Sequence, residues 1–269
     1  MPTAKSKKTI QRAPLKLPGP SPRSERLTAR EAMAALEKAG SAQTRKTYAR
    51  HGAPEPMFGV SFAVLKTLVK RIGVDHELAQ ALWATGNLDA RFLAVKVADP
   101  ARMSPADLGR WAREARMPML GCYVAQLASE GPHAAALAAS WSTSSDTAES
   151  SAAGALIAQM ALRDETTPDS WFERRLAEIE RTIHAASNAR REGMNQVLIA
   201  IGCRGTGLRK LALAAAKRIG KVEVDHGDTA CKTPDAAEYI EKSWAHSTSK
   251  GFPSPAAHER SREPVRTRC

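Results

Sequence analysis

The segment Lys221-Val222-Glu223-Val224-Asp225-His226-Gly227-Asp228-Thr229-Ala230-Cys231 gathers the side-chain types best suited to hold a metal or present a reactive thiol. Carboxylate, imidazole and thiolate are ligands of the kind that bind zinc, which makes His226, Asp228 and Cys231 candidate metal ligands. No second cysteine or histidine stands at close spacing, however. The same residues read equally as a loop whose polar side chains satisfy backbone groups ahead of a helix opened by Thr233-Pro234. The run Gly202-Cys203-Arg204-Gly205-Thr206-Gly207 is rich enough in glycine to suggest a phosphate loop, but no buried strand precedes it, and a turn between helices explains it better. The remaining cysteines, Cys122, Cys203 and Cys269, lie far apart, which fits a reducing, cytoplasmic setting.

Two basic groups have the spacing to touch phosphates. Lys66, Lys70 and Arg71 follow one another along a single helix. Arg190 and Arg191, with Arg204, Arg209 and Lys210, come from consecutive helices. Such residues would position a duplex without reading its bases, or would only solvate a helix face. The formal net charge of +12 favours an acidic partner, nucleic acid first. Half of that excess sits in residues 1–26, where seven basic side chains oppose Glu25 alone. No apolar run approaches the roughly 20 residues that span a bilayer, so no membrane partner is expected. The basic N-terminus also lacks the apolar segment of a secretory signal.

The elements that must position these residues are helices. Val60 to Pro100 carries three amphipathic segments, with apolar residues at Phe62, Leu65, Leu68, Val69 and Ile72, then Leu78, Leu82 and Trp83. Helices so short must stack to be stable. Thr28 with Glu31 has the pattern of a capping box, and Ser104-Pro105 marks another helix start. The stretch from Ala152 to Leu162 is small and apolar on nearly every face, as a helix buried between neighbours would be. About twelve helices result, with roughly 35–45 residues from one helix pair to the next, the range of HEAT-type repeats. The expected fold is all-α, a right-handed α-solenoid of HEAT-like repeats over residues 27–246, flanked by loose basic tails at 1–26 and 247–269. A compact helical bundle is the alternative.

Residues 48–100 resemble the DNA alkylation repair glycosylases built from HEAT-like repeats. The likeness rests on Tyr48-Ala49-Arg50-His51-Gly52, Met57-Phe58-Gly59-Val60, His76-Glu77-Leu78-Ala79, Leu82-Trp83, and Asp89-Ala90-Arg91 with Ala98-Asp99-Pro100. It resumes at Asn195 to Gly202. The resemblance implies a concave face that holds duplex DNA and, in active members, removal of cationic alkylated purines. An aspartate there stabilises charge developing on the deoxyribose, flanked by tryptophans. It implies no cofactor.

At those positions the chain departs from the family. Pro118 stands where a site tryptophan is expected and Cys122 where the catalytic aspartate is expected. Gln196 replaces a second tryptophan, and Ile199 an arginine. Glu114 is the nearby acidic residue that could substitute. A thiol is mostly neutral near pH 7 and cannot simply inherit a carboxylate's role. The expectation is a DNA-binding relative, using a basic concave surface, that has lost excision or moved it to another acid. The rival is a non-enzymatic HEAT-repeat module that binds a protein partner, for which an exposed apolar groove would speak.

Overall fold

The computed structural model describes residues 26–227 and 231–267, and the tail expected at 1–26 lies almost wholly outside them, as does Asp228. The first helix, α1 (Ala29–Ala39), begins at Thr28: Glu31 N–H donates to its hydroxyl, while the Glu31 carboxylate accepts from Thr28 N at 2.8 Å. That is the reciprocal capping box. After α2 (Ala42–Arg50), the chain stays non-helical until α3 (Phe62–Ile72), because Pro54 and Pro56 cannot continue a helix. Next come α4 (His76–Ala84) and α5 (Leu88–Val97), so the stretch from Val60 to Pro100 forms the three helices its periodicity requires.

Along α5 every residue but Arg91 is buried, including Asp89. A buried carboxylate must be paired, and this one accepts from the backbone N–H groups of Phe58 (2.6 Å), Gly59 (3.0 Å) and Val60 (2.8 Å). Gly59 has φ +79°, and a Cβ there would stand 2.6 Å from backbone atoms of Ser41 and Arg45. The Phe58-Gly59-Val60 and Asp89 motifs are therefore two halves of one structural clasp.

The repeats continue through α6 (Pro105–Glu114) and α7 (Pro118–Ser129), then α8 (Ala134–Ser142) and α9 (Thr147–Arg163). They go on through α10 (Asp169–Thr182) and α11 (Asn188–Gly202), then α12 (Thr206–Ile219) and α13 (Ala236–Ser249). Helices α5, α7, α9, α11 and α13 pack in sequence as one row. Their partners α4, α6, α8, α10 and α12 form the second layer. Helix α9, poor in large residues as its sequence foretold, sits between α7 and α11. Gly154 and Gly193 let α9 and α11 approach until a Cβ on Gly154 would meet backbone at 3.0 Å. The fold is an all-α solenoid of HEAT-like repeats.

The chain departs from expectation after Ser247. Residues 247–267, taken from composition as a loose tail, are ordered: α13 runs on to Ser249, and α14 (Pro255–Arg260) starts at Ser254, whose hydroxyl accepts from Ala257 N. The segment then runs back over the row as a strap. Ala256 N donates to Cys203 O at the end of α11. Arg163, ending α9, donates to the carbonyls of Glu259 and Arg262, and Arg260 reaches Leu162 O. Arg266, almost wholly buried, donates to Val95 O and Lys96 O at the end of α5 and forms a forked pair with Glu130 at the end of α7. The physical reason is that every helix ends in unpaired carbonyls and partial negative charge. Arg260 and Arg266, part of the tail expected to be loose, are donors to those ends.

Candidate nucleic-acid interface

Three of the residues singled out from sequence line one groove on the row that contains α7, α9 and α11. They are Pro118 and Cys122 on α7 and Gln196 on α11, and the groove, of about 520 Å³, has Ser151, Ala152 and Ala155 of α9 as its floor. Small side chains leave the helix surface open there, so a bulky ligand can approach the backbone. Arg116 is the cation of the lining and Glu192 its carboxylate.

Glu192 was not picked out from the sequence. It precedes Gln196 by four residues, hence shares its helix face, and that spacing was the available signal. Cys122 is open to solvent along the groove, yet protein crowds its sulfur. This burial, with the neighbouring Glu192 carboxylate, pushes the thiol up to about 11. It is therefore neutral near pH 7 and presents no charge to a developing cation.

Beyond Gln196 the groove continues as a second section of about 560 Å³, between α9, α11, α13 and α14. Ile199, itself buried, forms part of its floor with Leu162 and Ala200. Tyr239, Ser243 and His246 of α13 form one wall, and His258, Glu259 and Arg262 of the strap another.

Glu114 belongs elsewhere. It accepts from Trp83 Nε1 at 2.6 Å and from Arg91 Nη2 at 3.0 Å, and does not line the groove. Its carboxylate holds a structural corner, which excludes the substitute role considered for it.

Several expected phosphate contacts are also spent internally. Arg204 is only 10% exposed at its side chain, lies over Phe172, pairs with Asp169 and donates to the carbonyls of Met160, Ala161 and Thr167. Arg191 donates to the carbonyls of Ile183, His184, Ala186 and Glu223. Arg209 pairs with Glu241 and covers Trp244. These guanidinium groups already have partners within the protein. Arg190 is exposed and donates to Ser142 O, and Lys210 is exposed. Lys66, Lys70 and Arg71 lie on the exposed side of α3, outside both groove sections. The groove lining is thus sparing in cations, with Arg116 in one section and Arg262 in the other.

Residues 225–226 and 233–234 are tethered to α11 and to each other. Asn188 donates to Asp225 O at 2.6 Å and accepts from Asp225 N at 2.8 Å. His226 Nε2 lies 3.0 Å from Thr233 Oγ1, and Asn195 Nδ2 donates to Pro234 O. Among the described residues no three His, Cys, Asp or Glu side chains converge as a metal would need. No helix among them is long and apolar enough to cross a membrane.

Comparison with known proteins bears on this geometry. Residues 32–240 match the family described as DNA alkylation repair enzyme. Two curated relatives are the uncharacterized proteins Lmo0209 of Listeria monocytogenes and Lin0241 of Listeria innocua. Each is 28% identical over 213 residues, which is 77% of this chain and 93% of the relative. A solved structure superposes with a TM-score of 0.75 at 31% identity, over 85% of this chain and 98% of that one. It is described as "a new family of proteins related to the HEAT-like repeat DNA glycosylases with affinity for branched DNA structures".

Proposed function

Because the chain belongs to the DNA alkylation repair enzyme family, we propose that it binds branched DNA along its inner helical row and does not excise alkylpurines by the family's aspartate route. The observation that carries this reading is the meeting of Pro118, Cys122 and Gln196 around one groove, with the thiol held neutral. Excision of a cationic purine needs negative charge set beside the sugar as positive charge develops there. A neutral thiol, a proline ring and an amide offer none. They do offer a shallow, uncharged floor with Arg116, Arg190 and Arg262 near its edges, suited to phosphate contacts that fix position rather than sequence. The seven basic residues within 1–26 add salt-sensitive attraction.

A second reading has one observation in its favour: Glu192 lines the same groove as Cys122, so a carboxylate borders the place where the family's aspartate is expected. One experiment decides between them. Binding to a three-way junction and to a duplex of equal length is measured across a salt series, and base release is followed from a duplex carrying N7-methylguanine. The expected outcome is tighter binding to the junction and no release above background. Equal affinity for both DNAs would overturn the binding reading. Release that Glu192→Gln abolishes would transfer the chemistry to Glu192.

A further inference from the structure

The second section of the groove carries more aromatic surface than packing alone uses. On α13, Tyr239, Ser243 and His246 follow at four and three residues, which sets them on one helix face. The strap supplies His258, whose ring lies 4.4 Å from that of Phe252 at 10° and 5.6 Å from that of His246 at 29°. Tyr239 is 51% exposed, and among the described residues its ring meets no aromatic partner. The floor beside these rings is apolar, from Ala158, Leu162 and Ile199.

We infer that this section is a stacking platform for an unpaired nucleobase, with Tyr239 and the His246–His258 pair as its rings; the inference rests on the branched-DNA reading above. Every nucleobase has a π-face, so aromatic walls accept any base without reading its edge. In an intact duplex the bases already stack on one another and cannot reach the platform. At a branch point, unpaired bases are exposed, and a groove that captures one favours branched over continuous DNA. Gln196, shared by both groove sections, is placed to meet a base edge, and Arg262 to meet the adjoining phosphate. The strap is part of the site, since it supplies His258 and, behind it, Phe252 stacked on that ring.

The test uses the full chain and a three-way junction with 2-aminopurine unpaired at the branch. A single strand containing 2-aminopurine and a plain duplex serve beside it. The wild type is expected to quench the 2-aminopurine on binding. Tyr239→Ala and His246→Ala, both at exposed positions, should lose that quenching and bind the junction about tenfold more weakly, with duplex affinity unchanged. Tyr239→Phe should behave as wild type, because the ring and not the hydroxyl does the stacking. Unaltered quenching and affinity in both alanine variants would overturn the platform while leaving the branched-DNA reading intact. If the wild type shows no junction preference, that reading falls, and the single strand then decides the platform separately. Quenching there that Tyr239→Ala removes supports it, and absence of quenching overturns it.

Discussion

At the corner between α4 and α6 the indoles of Trp83 and Trp111 stack with centroids 4.1 Å apart and planes 3° from parallel, both fully buried. Glu114 accepts from Trp83 Nε1 and from Arg91, and the Arg91 guanidinium lies 4.8 Å over the Trp83 ring while reaching Glu114 O. In the groove on α7, α9 and α11 most side chains are small, Pro118, Met119, Cys122 and Gln196 are among the larger ones, and the charges are one carboxylate at Glu192 and one cation at Arg116. Tryptophan, glutamate and arginine are the types one would choose for chemistry on DNA. Here Glu114 and Arg91 are engaged with Trp83 in a corner that does not line the groove. The surface able to take a ligand is made of residues that attract little notice in a sequence. Residue type therefore indicates what a side chain can do, and its partners decide whether it is available.

Breaking the corner should cost stability and leave recognition alone. Trp83→Ala removes a buried ring and leaves Glu114 and Trp111 without their partner, for an expected loss of about 3–5 kcal/mol in urea unfolding. Protein that remains folded should bind DNA as wild type does, since no atom of the corner lines the groove. A selective loss of junction binding at full stability would contradict the division of labour.

The strap borders the groove and runs on to the end of α5, where Arg266 anchors it. Replacing this arginine by alanine leaves Glu130 and the carbonyls of Val95 and Lys96 without their donor, an expected cost of about 3 kcal/mol. Arg266→Lys should recover little, because one ammonium cannot reproduce the fork to Glu130 together with two carbonyl bonds. Hydrogen exchange should show α14 opening first in both variants. Protection of α14 equal to wild type would mean that the contacts of Ala256 and Arg163 hold the strap unaided.

Much of the fold was legible because helix signals are local. The capping pair Thr28 and Glu31, the start at Ser104-Pro105 and the apolar spacing from Phe62 to Trp83 each became the element expected. The turn at Gly202–Gly207 likewise separates α11 from α12. The strap was not legible, because its order comes from carbonyl ends of α5, α9 and α11, as many as 171 residues away in the chain. For the same reason Arg204 looked like a phosphate contact: nothing in its neighbourhood announces the carbonyls 37 to 44 residues earlier that consume it. In the groove, the positions of Pro118, Cys122 and Gln196 were legible through resemblance, whereas Glu192 needed the packing of α7 and α11 on α9 to bring it into the same lining.

That pairing gives the smallest and sharpest contrast between the regions. In the corner, Glu114 is engaged by Trp83 and Arg91; in the groove, Glu192 acts on a neutral thiol, and its influence can be read chemically. Cys122 is accessible, so a small alkylating reagent should reach it. Only thiolate reacts, though, and with the thiol pushed up to about 11, labelling should be slow at pH 8 and climb until pH 11. Glu192→Gln removes the smaller of the two causes, so the profile should move to lower pH by part of the shift only, burial retaining the rest. Stability should follow with a definite sign. Cys122 and Cys203 are both held protonated to about 11 in the folded chain, whereas an unfolded thiol ionises near about 8.5. The folded state therefore binds the protons more tightly, and the stabilisation present below about pH 8.5 should be lost as pH rises through 11. Cys203→Ser should flatten only its own share of that decline, because the two thiols are raised alike. A labelling profile centred near pH 8.5 in the wild type would show Cys122 to be an ordinary surface thiol, and would remove the carboxylate from its side.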